Sequence, residues 1–133
     1  MTIHRIAPDG SLGSPVAQGG DLDYGNYPHQ VMVFPAGDKI LIVDRGINAK
    51  LDALEMPGAL RTFGLENGKL SADQVIAPGD GFGFGPRHIA FHPTRPFLYV
   101  SDERRNKLRV FVCTGGQVKA EPIFVCETLA EPD

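Results

Sequence analysis

Four residues able to handle protons and anions, His29, Arg45, Arg87 and Glu103, stand at matching ends of a pattern carried twice, 58 residues apart, in this chain. The first copy reads His29-Gln30-Val31-Met32-Val33-Phe34-Pro35, a turn, then Ile40-Leu41-Ile42-Val43-Asp44-Arg45. The second reads Arg87-His88-Ile89-Ala90-Phe91-His92-Pro93, a turn, then Phe97-Leu98-Tyr99-Val100-Ser101-Asp102-Glu103. A carboxylate and an imidazole can exchange protons with a reacting group. A planar guanidinium fork can hold a phosphate or carboxylate, or stabilise a developing oxyanion. If each copy is a hairpin, residues equidistant from its turn face each other. Arg87 and Glu103 are equidistant from Arg95, and His29 and Arg45 from Gly37, so all four are expected on one edge of adjacent units. Spacing alone also allows a plainer reading, in which Arg87 and Glu103 form a cross-strand ion pair contributing well under ~1 kcal/mol.

The elements that must position these residues read as strands. Segments of strand length, rich in Val, Ile, Phe and Tyr, are expected at 2–6, 30–34, 39–43, 60–65, 74–77, 88–91, 97–101, 107–113 and 122–127. Turn chemistry separates many of them, as at Asp9-Gly10, Glu66-Asn67-Gly68 and Thr114-Gly115-Gly116. The segment from Asn48 to Met56 is the one place expected to hold a helical turn or two, ended by Pro57-Gly58. The strands group into two units of four, at about 29–77 and 87–127, after a single outer strand within 1–28. The offset between units falls from 58 to 48 at the third strand, where Leu60-Arg61-Thr62-Phe63 meets Leu108-Arg109-Val110-Phe111, so the first unit carries a ten-residue insertion. Four antiparallel strands in roughly 40–50 residues match one β-propeller blade, and a β-sandwich, the alternative, leaves the repeat's register unexplained. The expected fold is therefore all-β, about two blades plus an orphan outer strand. Because propellers close with about four to eight blades, the chain is expected to be a piece of a longer protein, or to self-associate if it is whole.

Bulk properties exclude several classes. A net charge of −3 argues against nucleic acid, which calls for a basic stripe. No apolar run approaches a membrane span, and Met1-Thr2-Ile3-His4-Arg5 lacks a secretory pattern, so a cytoplasmic location is expected. Cys113 and Cys126 are expected to be reduced, buried and structural. His88 and His92 share a strand face about 13 Å apart at ~3.3 Å per residue, too far for one ion, so no metal is expected. No cofactor is expected either. Gly79-Asp80-Gly81-Phe82-Gly83-Phe84-Gly85 feeds a strand rather than a helix, which rules out a dinucleotide loop and leaves a flexible approach to the mouth of the site. Arg104-Arg105-Asn106-Lys107 is expected to be a solvated turn, with attraction of an anionic substrate as the alternative.

The run Gly85-Pro86-Arg87-His88-Ile89-Ala90-Phe91-His92-Pro93, with Phe97 to Glu103 after it, resembles the lactonase family of seven-bladed propellers. That family includes propeller-type 6-phosphogluconolactonases and carboxy-cis,cis-muconate cyclases. The resemblance implies a seven-bladed parent and catalytic roles for His29, Arg87 and Glu103, with Arg45 and Arg87 binding substrate. A further arginine of the cyclase site would lie in a later blade, beyond Asp133. The function implied is hydrolysis of an anionic sugar lactone, with a muconate-type cyclase and a non-catalytic binding propeller as alternatives. The partner implied is a small anionic lactone or carboxylate, with neither nucleic acid nor membrane, and little activity is expected of these 133 residues alone.

Overall fold

Ile40-Leu41-Ile42-Val43 is aliphatic without alternation, which marks a strand covered on both faces. In the structure, a computed structural model describing residues 1–129, it forms the middle of a strand whose alternate residues enter two different cores. The order is β1 (His4–Ile6), β2 (Leu12–Pro15), β3 (Pro28–Val33), β4 (Lys39–Asp44), β5 (Ala59–Glu66), β6 (Lys69–Ile76), β7 (Pro86–Phe91), β8 (Phe97–Asp102), β9 (Lys107–Thr114), β10 (Gln117–Val118) and β11 (Phe124–Glu127). Strands β3 to β6 form an antiparallel meander, the first blade. Strands β7 to β9 repeat it, and the fourth position is shared by β10 and β11, both paired with β9. Pro122, which has no N–H to donate, lies in the stretch that separates those two pieces. This is the all-β, partial-propeller arrangement expected, with four-stranded blades joined in chain order.

The first strands of the two blades lie side by side, and the Gln30 Oε1 accepts the Ile89 backbone N–H across the seam at 2.7 Å. Leu41 and Val43 of β4 point into the core between the blades, with Leu60, Ile89, Leu98, Val100 and Phe111. Ile40 and Ile42 point the other way, with Phe63 and Leu70, and meet Ile3, Leu22 and Tyr24 from the N-terminal segment. At the outer half of the seam, the Gln74 Oε1 accepts from the Val118 N–H, and Lys39 reaches both Asp73 at 2.8 Å and the Gly116 carbonyl at 3.1 Å. Hydrogen bonding by Lys39, then by Thr62, holds the Asp73 carboxyl below its usual range.

Four expectations need correction. The N-terminal strand is not an orphan: β1 pairs with β2, whose sequence Leu12-Gly13-Ser14-Pro15 carries too little apolar signal to read as a strand. The segment around Asn48 to Met56 is not helical but a narrow hairpin with bridges Ile47–Met56 and Lys50–Ala53, and Gly46 at its base lies in the left-handed region at φ 63°. The second half of the glycine-rich loop is closely packed, with Gly81, Gly83, Gly85 and Phe84 buried, while Gly79, Asp80 and Phe82 are exposed. Cys113 and Cys126 are free, as expected, but half-buried rather than buried. Burial raises the Cys113 thiol pKa. Among the described residues, no helix is long and apolar enough to cross a membrane.

Candidate active site

The position of each candidate residue follows from a β-bulge at the start of each blade. In β3, Pro28 pairs with Asp44 and Gln30 with Val43, so His29 is left over. In β7, Pro86 pairs with Asp102 and His88 with Ser101, so Arg87 is left over. A bulged residue is freed from the ladder and its side chain is re-aimed, a device that recurs beside active sites. Simple counting from Gly37 and Arg95 is one residue off, since Val33 pairs with Ile40 and Phe91 with Leu98, and the bulge adds one more, so neither expected face-to-face pairing exists along the strands. His29 does not oppose Arg45. Arg87 and Glu103 still meet, through their side chains, because Glu103 opens a 3₁₀ turn (Glu103–Arg105) just past β8.

Glu103 is the centre of the cluster. Its Oε2 accepts from Arg45 Nε at 2.7 Å and its Oε1 from Arg87 Nη1 at 2.9 Å. One carboxylate thus bridges two guanidinium groups, one carried by each blade. The Arg45 hydrogen bond, with the charges of Arg45 and Arg87, holds the Glu103 carboxyl below its usual range against the opposing effect of burial. Arg87 remains 43% exposed, with its second terminal nitrogen uncommitted in the hydrogen bonds seen, so it can still receive an anion. His29 is not brought to this cluster by any hydrogen bond or ion pair among the described residues. Its ring stands edge-on to His88, centroids 5.2 Å apart, and it borders a hollow of about 570 Å³ on the other face of the first blade. Three buried side-chain nitrogens have no partner among the described residues: His29 Nδ1, Arg87 Nε and Arg104 Nε. Such atoms are rare in folded proteins and here belong to two candidate residues and a close neighbour.

Behind the cluster each blade carries a buried acid paired with an arginine. Asp102, fully buried, accepts from the Gly85 N–H at 3.0 Å and from Arg109 through Nε and Nη2, both at 2.8 Å. Its counterpart Asp44 accepts the N–H groups of Asn26, Tyr27 and Gly46 on Oδ1 and Arg61 Nε on Oδ2 at 3.3 Å. These carboxylates fix the chain on either side of Arg45 and Glu103. The reading of the sequence aligned both acids and both arginines but gave them no role. The basic run after Glu103 is a turn with Arg105 and Asn106 exposed, as expected, but Arg104 departs from that reading. Arg104 is only 10% exposed and pairs with Glu55 of the insertion, while Arg105 Nε donates to the Gly83 carbonyl at 3.1 Å.

A second cleft, of about 380 Å³, lies between the blades at the opposite strand ends, among Phe34, Phe91, His92, Arg95, Phe97 and Cys113. It shares no residue with the Glu103 cluster. Among the described residues no group of three or more His, Cys, Asp or Glu side chains is placed to hold a metal ion.

Comparison with known proteins adds two findings. The family model described as "Lactonase, 7-bladed beta-propeller" matches residues 17–132. A protein named 6-phosphogluconolactonase from Bacillus subtilis (strain 168) is 32% identical over 115 residues, covering 80% of this chain and 29% of its own length. The chain therefore spans less than a third of that relative. No solved structure matches it.

Proposed function

Because the chain belongs to the lactonase family of seven-bladed β-propellers, as the match over residues 17–132 shows, we propose that it supplies part of the active rim of an enzyme that hydrolyses an anionic sugar lactone. The observation that carries this reading is the bridging of Glu103 by Arg45 and Arg87 across two blades.

In the resting arrangement Glu103 is a poor base, since two cations hold its charge. An anionic group on the substrate competes for Arg87 and releases Oε1. Loss of that contact raises the basicity of Glu103 at the moment a substrate is present. Water then attacks the lactone carbonyl carbon while Glu103 takes its proton. The ring C–O bond breaks as the tetrahedral intermediate collapses, and the departing ring oxygen takes that proton back from Glu103. Arg45 stays with Glu103, and Arg87 neutralises the substrate's anion or the developing oxyanion. Ring closure follows the same path in reverse, so a carboxylated muconate lactone belongs in the same substrate panel.

The test is hydrolysis of 6-phosphoglucono-lactone by the full-length protein, beside uncharged lactones and a muconate lactone. Glu103→Gln is expected to lower turnover about 100-fold or more with the fold retained, the scale of general acid–base catalysis. Unchanged turnover removes Glu103 from the chemistry. Absence of all lactone turnover in the unaltered protein leaves the binding-propeller reading.

A further inference from the structure

The ten-residue insertion of the first blade ends in a charged contact that the reaction scheme does not use. Glu55 Oε1 accepts the Gly83 N–H at 2.6 Å and pairs with Arg104 Nη1. Arg104 Nη2 donates to the Arg45 carbonyl at 3.0 Å. Arg104 directly follows Glu103, whose carboxylate holds the Arg45 guanidinium at 2.7 Å. Two successive residues of the second blade thus grip Arg45 at its two ends, one by the side chain and one by the main chain. The Arg45 N–H, bonded to the Tyr27 carbonyl at 3.0 Å, completes the fixing of its backbone.

Glu55 is the counter-charge that keeps Arg104 in this role. Its surroundings are stiff: the insertion is braced by the Ile47–Met56 and Lys50–Ala53 bridges. Gly83 is held on its N–H by Glu55 and on its carbonyl by Arg105. Gly83 sits in the left-handed region at φ 71°, a conformation that favours glycine. An insertion that served only as surface would need none of this. We propose that Glu55 is a positioning residue of the rim, holding Arg45 in register with Glu103 through Arg104, and that the insertion exists to deliver it. This rests on the reading of Arg45, Arg87 and Glu103 as the substrate-binding rim.

Glu55→Gln separates positioning from simple anchoring. The amide oxygen still accepts the Gly83 N–H, so the insertion stays attached, but the charge facing Arg104 is gone. In the full-length protein, the Glu103 carboxyl is followed by carbon NMR against pH, and KM and kcat are measured on 6-phosphoglucono-lactone. The expected result is a Glu103 titration displaced upward toward the ordinary glutamate range, with KM raised about 10- to 100-fold and kcat changed less. A folded Glu55→Gln protein whose Glu103 titration is unmoved overturns the proposal. If the unaltered protein turns over no lactone, the lactonase reading fails, and the Glu103 titration alone decides this one. Should Glu55→Gln not fold, Arg104→Lys serves instead. Its single ammonium replaces the fork that spans Glu55 and the Arg45 carbonyl, and the same upward displacement is expected.

Discussion

Replacing Asp102 by asparagine tests how the rim is held from behind. The Asp102 side chain is wholly buried and its Oδ2 takes two bonds from Arg109 at 2.8 Å. Asparagine keeps an acceptor for the Gly85 N–H but turns an NH₂ group, or a neutral oxygen, toward the guanidinium. Breaking a buried pair by removing one charge costs about 3–5 kcal/mol. Arg109 is 18% exposed and lies over the Phe84 ring at 5.3 Å, so part of its charge stays solvated. The lower end of the range, about 3 kcal/mol, is the expected loss. The equivalent Asp44→Asn is expected to cost only about 1.5 kcal/mol, the low end for one hydrogen bond to a charged group. Its Oδ1 retains three backbone N–H donors, and Arg61 keeps its 2.8 Å bond to Asp23. Urea unfolding of the two variants beside the unaltered protein measures both losses, provided the slopes agree. Equal losses, or a larger one at Asp44, refute the division of labour assigned to the two acids. As a control, Asp102→Asn combined with Arg109→Met removes both charges, keeps an acceptor for the Gly85 N–H, and is expected to recover most of the loss.

Phe84→Ala should cost about 3–5 kcal/mol, because the ring is 1% exposed and fills the core between the blades. A loss below about 1 kcal/mol in the same urea experiment would place Phe84 outside that core. For pH, the folded Glu103 carboxyl lies below its ordinary value of 4.5, so its pairing stabilises the rim above that value and is lost as pH falls through the folded one. The Arg45 and Arg87 contacts should therefore be constant from about pH 8 to pH 5 and give way only in stronger acid. A carbon NMR titration that finds Glu103 protonating at or above 4.5 contradicts the double bridge.

Legibility from the sequence depended on whether a feature had a periodic signature. The apolar runs Ile40–Val43 and Leu98–Val100 announced their strands because burial of successive or alternate side chains leaves a pattern. Leu12–Pro15 pairs mainly through its backbone and leaves none. The bulges at His29 and Arg87 were invisible for a related reason. A bulge is decided by where the ladder hydrogen bonds fall, and the side-chain alternation around it stays intact until the last residue. The contact between Glu55 and Arg104 joins positions 49 residues apart whose types are ordinary for a surface loop. Only the folded insertion brings them together.

The internal repeat, however, separated structure from site more cleanly than any single motif. Asp44 and Asp102 are the same residue in both copies, as are Arg61 and Arg109, and both pairs turn out to brace the blades. His29 and Arg87 occupy equivalent bulges but differ in type, and Arg45 and Glu103 end equivalent strands with opposite charge. That difference is what allows Arg45 and Glu103 to bond across the seam at 2.7 Å. Had the copies been identical there, two arginines or two glutamates would have met and repelled. The two blades therefore attract at the point where their sequences diverge. The bridge at Glu103 needs the repeat for its geometry and the break in the repeat for its charge.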